Sequence, residues 1–408
     1  MPKATLEEVL RFGALMLRSG HAAFRVRQSM GAIASSMGLD HLSVKLGLRS
    51  IIATGRRGTG TATLVREVGA PTVNTERIAA LDALARTIPP GVSASEFAMK
   101  LTAIETAPPR YSIVQTAVAV GVACGAFASL NGGVGPEVAA CAVGGGVGQG
   151  LRSLLLRLRF NQFAVTAMCA VIASAVYCLV SSAAVHAGFG AVRNSAGLIS
   201  SVLFLVPGFP MVAAMLDLLQ HETGAALSRL AYATTLLLAA AFGLSLVIYV
   251  VGFAIERSPP PVFPMPQTLA LRAVASFAGA CGFAILYNGA WRNVLLVGVI
   301  ASMGNEIRLA LHDVGLALPP ATFFGALAVG LMASLVARWV TSVRIVLTVP
   351  GVIMMVPGIY AFETLVYFNR GEVLAGLSAA VVVGFVTGAM ATGLAAARFL
   401  TQRESLRE

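Results

Sequence analysis

Long apolar segments fill the chain after Arg110, whereas the polar N-terminal part alternates between apolar and polar positions. An apolar run of about 18 or more residues can cross a bilayer as a helix. We count roughly ten such segments by this criterion, and they lie at 112–131, 135–151, 162–187, 196–219, 230–254, 270–288, 293–311, 319–337, 344–366 and 375–397. The pattern therefore predicts an all-α polytopic membrane protein.

The polar N-terminal part is predicted to form a small α+β domain with four helices and two strands. Apolar residues between Leu42 and Leu48 alternate with polar ones, as in a half-buried strand. Gly55–Gly60 is predicted to form a hairpin turn before a second strand near 62–68. Ser93 followed by Glu96 has the spacing of a helix-capping box and predicts the start of the last helix.

Two of the predicted spans contain the sequence Val-Pro-Gly near their middle. The fourth segment carries Pro207, Gly208 and Pro210, and the ninth carries Pro357 and Gly358. Proline removes a helical donor and clashes with the preceding turn. Discontinuous helices form the substrate sites of many secondary transporters. These five residues are therefore candidates for substrate binding, with simple kinking for helix packing as the alternative.

The predicted spans divide into two groups of five that repeat short motifs in the same order. Asn131 ends the first segment as Asn288 ends the sixth, and Gly148–Arg152 matches Gly304–Arg308. A repeated motif order indicates duplication of a five-helix unit. Because five is an odd number, each unit must enter the membrane from the opposite side, which predicts inverted repeats.

These patterns divide the chain into five parts. They are an α+β domain at 1–110, a first five-helix module at 111–255, a proline-rich connector at 256–268, a second five-helix module at 269–398, and a tail at 399–408. Consecutive prolines make the connector stiff and extended.

Composition and charge support the membrane assignment and give an orientation. The chain is 57% hydrophobic and 12% charged, with a net charge of +11, whereas soluble domains contain about 25% charged residues. With the α+β domain in the cytoplasm, the inner side holds Arg152, Arg157, Arg159, Arg229, Arg292, Arg338, Arg344, Arg398, Arg403 and Arg407. The outer side holds Arg193, Arg257, Arg272 and Arg370. This bias follows the positive-inside rule and fits membrane orientation better than nucleic-acid binding.

Acidic residues within or beside the spans are candidates for binding and proton transfer, because charged groups in a bilayer are costly and often functional. Asp217 is a candidate for binding a substrate ammonium or relaying a proton, with an ion pair to Arg229 as the alternative. Glu306 and Glu363 are candidates for proton coupling. Their alternatives are a structural pair with a neighbouring helix and an anchor at the outer interface, respectively.

The interrupted helices suggest how a small solute would be held. Free amides at a helix N-terminus favour a carboxylate, and free carbonyls favour an ammonium, so a zwitterionic amino acid suits both. A dicarboxylate would need extra positive charge, which Arg152 or Arg308 could supply. Asn131 and Asn288 are candidate polar lining of the site, together with Gln149 and Asn305, unless they form hydrogen bonds between helices.

The sequence contains no pattern that predicts a metal site, a cofactor site or a catalytic site. The five cysteines lie inside apolar runs and form no CxxC or Cys/His cluster. No Ser/His/Asp constellation can be assigned, so the sequence does not predict an enzyme.

Several segments together carry a resemblance to a known family. The N-terminal domain with its Arg18-Ser-Gly-His-Ala-Ala-Phe-Arg-Val26 segment resembles that of the threonine/serine exporter family, although Arg27 and Gln28 stand where the family often has a glutamate. The fourth span resembles that family's pattern through Pro207-Gly208-Phe209-Pro210, Asp217, Gly224 and Arg229. The last five spans resemble the family's second module, which some bacteria encode separately. The resemblance covers essentially the whole chain, with both modules fused.

This resemblance implies export of threonine and serine across the bacterial inner membrane, driven by the proton gradient, with both termini cytoplasmic. A split-subunit branch of the family is associated with succinate export, so a dicarboxylate exporter is the first alternative. A membrane receptor or enzyme acting through its cytoplasmic domain is the second. The expected partners are a small polar solute, protons and the bilayer. The glycine-rich helix face needs a closely packed partner, which is either a second copy in a homo-oligomer or another part of the same chain.

Overall fold

A computed structural model describes residues 2–47, 49–189, 195–252, 263–340 and 344–401. Part of the predicted connector at 256–268 and part of the tail at 399–408 lie outside these residues. The same holds for four arginines used in the orientation argument, Arg193, Arg257, Arg403 and Arg407. The described chain forms a small α+β domain followed by two helical modules.

The α+β domain packs four helices around an antiparallel sheet with strand order β1-β2-β3. Its helices are α1 (Pro2–Ser19), α2 (Ala23–Ser36), α3 (Thr75–Thr87) and α4 (Ala94–Thr106), and its strands are β1 (His41–Leu46), β2 (Ser50–Arg57) and β3 (Gly60–Glu67). The predicted cap of α4 is confirmed, because the Ser93 hydroxyl accepts a hydrogen bond from the Glu96 N–H at 3.1 Å. Apolar side chains of α1, α2, β1 and β2 form the core of this domain.

The prediction of only two strands was wrong. Ser50–Arg57 forms the middle strand β2, so Gly55 lies within a strand and not in the hairpin turn. Gly55 faces the core, where an added Cβ would lie 3.2 Å from Leu6 and 3.3 Å from Leu39. The glycine is therefore needed for close packing under two leucines, a role that its sequence neighbours do not reveal.

The two helical modules contain the same succession of elements. The first comprises α5 (Ile113–Leu130), α6 (Gly135–Arg157), α7 (Gln162–His186), α8 (Ser195–Ser201), α9 (Gly208–Leu219) and α10 (Thr223–Val251). The second comprises α11 (Met265–Leu286), α12 (Trp291–Asp313), α13 (Leu318–Val340), α14 (Arg344–Gly351), α15 (Gly358–Asn369) and α16 (Val373–Thr401). Helices α6 and α12 each have 23 residues, α9 and α15 each have 12, and α10 and α16 each have 29.

Helix packing follows the same plan in both modules. Helix α6 contacts α5, α7 and α8, as α12 contacts α11, α13 and α14. Helix α10 contacts α7 and α9, as α16 contacts α13 and α15. The modules meet chiefly where α5 packs against α11. Glycine allows this close approach, because a Cβ on Gly282 would lie 2.3 Å from the Ala119 carbonyl oxygen.

Among the described residues, seven helices are long and apolar enough to cross a membrane, namely α5, α7, α10, α11, α12, α13 and α16. The broken pair α14–α15, bent by 51°, would make an eighth. The chain is therefore a polytopic, mostly helical membrane protein. Helix α6 is long enough, but its glycines and polar residues make it less apolar, and α9 is short. The count of ten spans stays a prediction.

Both predicted interruptions are present and have nearly the same backbone. Pro207 has φ −78° and ψ 56°, and Pro357 has φ −77° and ψ 55°. The Gly208 N–H donates to the Val206 carbonyl at 2.8 Å, and the Gly358 N–H donates to the Val356 carbonyl at 2.7 Å. Each proline therefore lies at the centre of an inverse γ-turn, preceded by a single turn of 3₁₀ helix.

The two breaks lie directly against each other. A Cβ on Gly208 would lie 2.7 Å from Ile353 Cδ1, and a Cβ on Gly358 would lie 2.5 Å from Leu203 Cδ2. The space between them is an apolar void of about 10 Å³, lined by Phe127, Leu203, Val206, Gly208, Phe283, Ile353, Val356 and Gly358. The breaks therefore form a reciprocal, apolar contact and leave no room there for a polar solute.

Candidate substrate cavity

A larger cavity, about 660 Å³ in volume, lies in the first module on the side that faces the α+β domain. Its rim includes residues 70–73 of the domain and the loop between α6 and α7. Its inner end reaches Phe204–Pro210, the segment that forms the first break. The cavity therefore connects the domain side of the protein with the interruption in the fourth predicted span.

Arg152 on α6 lines this cavity with its charge uncompensated. Its Nε atom is buried, and none of the described residues accepts a hydrogen bond from it. Gln149 lies one helical turn earlier on the same face, and its Oε1 is also buried without a partner. Buried polar groups are normally hydrogen-bonded, so two such exceptions in one cavity indicate a place for a ligand or water.

The remaining charge around the cavity is also positive. Arg18, Arg157 and Arg159 join Arg152 in the described lining, which contains no aspartate or glutamate. A guanidinium group binds a carboxylate through two parallel hydrogen bonds, which makes arginine the preferred partner for such a group. The hydroxyl of Tyr232 lines the same cavity and adds a neutral polar group. The cavity is thus suited to a small solute that carries a carboxylate.

The predicted break residues are divided between the cavity and the contact between the breaks. Pro207 and Pro210 line the cavity. Gly208 and Gly358 face the opposite break, and Pro357 forms the second turn. Of the two breaks described, the first therefore borders this cavity, through its two prolines and through Phe204–Val206 and Phe209.

Asp217 lies outside the cavity and is completely buried, with 0% of its surface exposed. Its Oδ1 accepts a hydrogen bond from the Ala23 N–H at 2.6 Å, and its Oδ2 lies 3.2 Å from Arg229 Nε. The Arg229 guanidinium also donates to the His21 carbonyl. The ion pair that the sequence offered as the alternative for Asp217 is therefore present, and it holds the first turn of α2 on α9 and α10.

His21 contributes to this anchor as a neutral side chain. Its Nδ1 lies 3.2 Å from the Met16 carbonyl, so this nitrogen carries the hydrogen. Burial, together with the positive charges of Arg229 and Arg25, lowers the pKa of His21 to about 3. His21 is therefore uncharged at neutral pH, which avoids repulsion between an imidazolium and Arg229.

Two further contacts hold the domain on the helical modules. Arg27 binds Glu222 through two hydrogen bonds, Nε to Oε1 at 2.5 Å and Nη2 to Oε2 at 2.9 Å. Asn288 lies at the cavity rim, where its Oδ1 accepts from the Arg110 N–H at 2.8 Å and its Nδ2 donates to Asn74 at 3.2 Å. The domain thus contacts the first module at the α9–α10 turn and the second module at the α11–α12 turn.

The other predicted site residues lie away from this cavity. Asn131 is exposed and donates to the Phe127 carbonyl of its own helix at 2.7 Å. Glu363 on α15 is buried, with 4% exposure. Both carboxylate oxygens of Glu306 on α12 are buried, and no described residue donates a hydrogen bond to them. Glu306 is therefore a half-buried acid whose two buried oxygens are available to a proton.

The second module contains a counterpart of Arg152 whose hydrogen bonding is different. Arg308 occupies the same position in α12 as Arg152 does in α6, and its Nε donates to Asn305 Oδ1 at 2.9 Å. Asn305 in turn donates to the Ser276 hydroxyl at 2.8 Å. The arginine of the second module is therefore hydrogen-bonded to its own helix, whereas that of the first is not.

Sequence reasoning only partly found the cavity. It considered Arg152 as extra charge for a dicarboxylate and Gln149 as polar lining, because polar residues inside an apolar segment are conspicuous. It missed Tyr232, since one aromatic residue in an apolar segment gives no signal of function. It also missed the contacts of Ala23 and Glu222, because their partners lie 194 and 195 residues away along the chain.

Two family models of the threonine/serine exporter match the chain, one over residues 7–251 and the other over residues 272–400. The chain is 27% identical over 383 residues to a Mycobacterium tuberculosis protein named "Probable threonine/serine exporter", covering 90% of this chain and 70% of the relative. It is 24% identical over 407 residues to a Corynebacterium glutamicum protein named "Threonine/serine exporter", covering 96% of this chain and 81% of the relative. No solved structure matches the chain. Since the first model alone spans more than half of the sequence and the second covers the remaining helices, the chain belongs to the threonine/serine exporter family.

Proposed function

We propose that this protein is a secondary transporter that exports threonine and serine, and that the Arg152 cavity holds the substrate. The observation that carries the proposal is the Arg152 side chain, whose buried Nε has no described hydrogen-bond acceptor, in a cavity of about 660 Å³. The names of the two relatives support the choice of substrate. A guanidinium that no acidic residue of the described lining compensates suits an amino-acid carboxylate.

The cavity offers matching groups for each part of such a substrate. The carboxylate would bind Arg152, and the ammonium would be left to neutral acceptors, because the described lining contains no acidic residue. The unpartnered Oε1 of Gln149 is the first of these acceptors, and the Tyr232 hydroxyl is the second. This assignment moves the substrate contact from Asp217, which is occupied by Ala23 and Arg229, to the face of α6.

The architecture we propose for transport is ten spans arranged as two inverted five-helix repeats. Equal helix lengths, the matching γ-turns at Pro207 and Pro357, and the equivalent positions of Arg152 and Arg308 support it. Helix α12 begins beside the domain, where Tyr111 packs edge-on against Trp291 with ring centroids 6.2 Å apart. Helix α6 ends beside the domain. The two arginines would therefore lie at opposite ends of the molecule.

This arrangement suggests an alternating-access cycle. The Arg152 cavity is open on the side of the domain, which we assign to the cytoplasm from the positive-inside rule. The apolar contact between the breaks separates it from the opposite side. Movement of one module against the other would close this cavity and open an equivalent one around Arg308. Protonation of Glu306, whose oxygens have no described donor, would couple this movement to the proton gradient.

A dicarboxylate is the second candidate substrate, and the charge of the cavity favours it. Four arginines and no acid in the described lining would suit a solute with two negative charges. Threonine and a dicarboxylate share the carboxylate that Arg152 would bind, so the two proposals differ only in the second group of the solute.

Reconstituted vesicles test the proposal and separate the two substrates. We expect efflux of labelled threonine to be inhibited by serine but not by threonine methyl ester, which lacks the carboxylate charge. Arg152→Gln should lower the threonine flux at least about tenfold, since removing one partner of a buried charge pair typically costs 2–5 kcal/mol. Arg292→Gln, at an exposed arginine outside the described lining of the cavity, is the matched control.

The other possible results of the vesicle experiment separate the remaining hypotheses. Competition by succinate with no threonine flux would favour the dicarboxylate exporter. Full flux in Arg152→Gln would remove the proposed site. Absence of flux for both solutes in correctly inserted protein would favour a receptor or enzyme that acts through its cytoplasmic domain.

A further inference from the structure

A second cavity, about 260 Å³ in volume, lies between the α+β domain and the second helical module. Helices α2 and α3 of the domain form one wall. Helices α13, α14 and α16 form the other, and the end of α9 closes the space between them. This junction cavity shares no described lining residue with the Arg152 cavity. It is therefore a separate site that the proposed transport path does not use.

The lining of the junction cavity is strongly basic. Its described residues include one acid, Asp82, which forms an ion pair with Arg86 at 2.6 Å. The other charged members of the lining are four arginines, Arg25, Arg338, Arg344 and Arg398. Like charges gathered in a partly enclosed space repel one another, and this repulsion is relieved when an anion enters.

Two of these arginines converge on the Phe24 ring from both sides of the junction, and a third lines the same cavity. The guanidinium carbon of Arg398, from α16, lies 5.0 Å from the centre of the Phe24 ring, and that of Arg25, from α2, lies 5.8 Å from it. Arg344, from α14, belongs to the lining of the same cavity. The Phe24 ring thus helps to orient two guanidinium groups that belong to different parts of the protein.

All described hydrogen-bond partners of Arg344 are neutral groups. It donates to the Thr401 hydroxyl at 3.2 Å and to the carbonyls of Gly330 and Leu394 at 3.4 Å. These contacts fix the position of the guanidinium without compensating its charge. A positioned but uncompensated arginine is what a site for a charged oxyanion needs.

We propose that the junction cavity binds a multiply charged oxyanion, and specifically a phosphate group. A guanidinium fork matches the oxygen geometry of phosphate, and several arginines around one small cavity match a charge greater than one. The bound anion would contact Arg25 of the domain and Arg344 and Arg398 of the second module. It would thereby hold the domain against the second module. The phosphate group could belong to a soluble ion or to an anionic lipid headgroup, because basic pockets between helices on the cytoplasmic side also bind such lipids.

Thermal unfolding of the full-length protein in detergent tests the proposal with inorganic phosphate as the probe. At constant ionic strength set with chloride, saturating phosphate should raise the Tm by about 2 °C or more, as expected for a ligand that binds only the folded state. Arg25→Gln and Arg398→Gln should each reduce this rise by at least half. Arg66→Gln, at an exposed position of β3, is the matched control and should keep it.

A parallel measurement in nanodiscs distinguishes the source of the phosphate group. If a lipid headgroup is the occupant, phosphatidylglycerol should raise the Tm relative to phosphatidylcholine alone, and Arg25→Gln should remove the difference while free phosphate has no effect. The proposal is overturned if neither probe stabilises the native protein more than it stabilises Arg25→Gln and Arg398→Gln. Two variants are used because Arg25 is half-buried on α2 of the domain, so its replacement leaves the helix packing of the second module unchanged.

Discussion

Arg152 and Glu306 are charged side chains with buried polar atoms to which no described residue makes a hydrogen bond. Uncompensated charge inside a protein is costly and is kept where a ligand or a proton occupies the site for part of the cycle. The two residues lie in different modules, Arg152 on α6 and Glu306 on α12. At the scale of single residues, Arg152 would bind the substrate and Glu306 would couple transport to the proton gradient.

Replacing Glu306 tests the proton-coupling part. Glu306→Gln keeps the size of the side chain but can no longer take up and release a proton. We expect threonine efflux from proteoliposomes to lose its response to an imposed proton gradient, while binding of threonine is retained. Asp313→Asn is the control, because Asp313 is a nearby, half-exposed acid already paired with Arg272. If the flux through Glu306→Gln still accelerates with the gradient, another group carries the proton.

At the scale of secondary-structure elements, the sequence predicted the interruptions because proline and glycine act locally. It did not predict that the two turns would touch through Leu203, Gly208, Ile353 and Gly358, since that contact depends on packing between distant segments. The broken ends therefore face apolar side chains at their mutual contact. The Arg152 cavity lies to one side of it, next to Pro207.

Crowding the contact between the breaks should destabilise the protein in a way that a second change repairs. Gly208→Ala places a Cβ 2.7 Å from Ile353 Cδ1, and such overpacking typically costs about 1–3 kcal/mol. Ile353→Val removes that Cδ1, so Gly208→Ala with Ile353→Val should recover most of the lost Tm. Gly224→Ala, at an exposed helix position with open space around it, is the control and should not lower the Tm. Equal destabilisation of the single and double variants would contradict the contact.

Helix boundaries show where the apolar pattern is informative and where it is not. The predicted span at 162–187 agrees with α7, which covers Gln162–His186. The predicted span at 135–151 was too short, because α6 continues to Arg157 through a segment that begins with the polar residues Arg152 and Ser153. A hydropathy pattern detects the membrane-embedded part of a helix and not the turns that extend beyond it.

At the scale of the whole molecule, the α+β domain is joined to both modules by specific polar contacts. Asp217 and Arg229 hold the start of α2. The Thr75 N–H donates to the Tyr287 carbonyl at 2.8 Å and holds the start of α3. These contacts could not be predicted from the sequence, because each joins residues that are far apart along the chain. They imply that movement between the modules would also move the domain.

A double-mutant cycle tests whether Asp217 anchors the domain. Asp217→Asn would leave Arg229 as a buried charge without its anion, which typically costs 3–5 kcal/mol of stability. Combining it with Arg229→Gln should cost less than the sum of the two single changes, measured by thermal unfolding. Arg27→Gln, at a more exposed ion pair, should cost about 1 kcal/mol or less. A stable Asp217→Asn protein that has lost transport would return Asp217 to the substrate site.

A structure of the protein in nanodiscs with bound threonine tests the central claim most directly. We predict density in the first-module cavity, with the carboxylate oxygens about 2.7–2.9 Å from the Arg152 guanidinium and the ammonium directed towards Gln149. Threonine bound elsewhere, with Arg152 making no contact to it, would contradict the account.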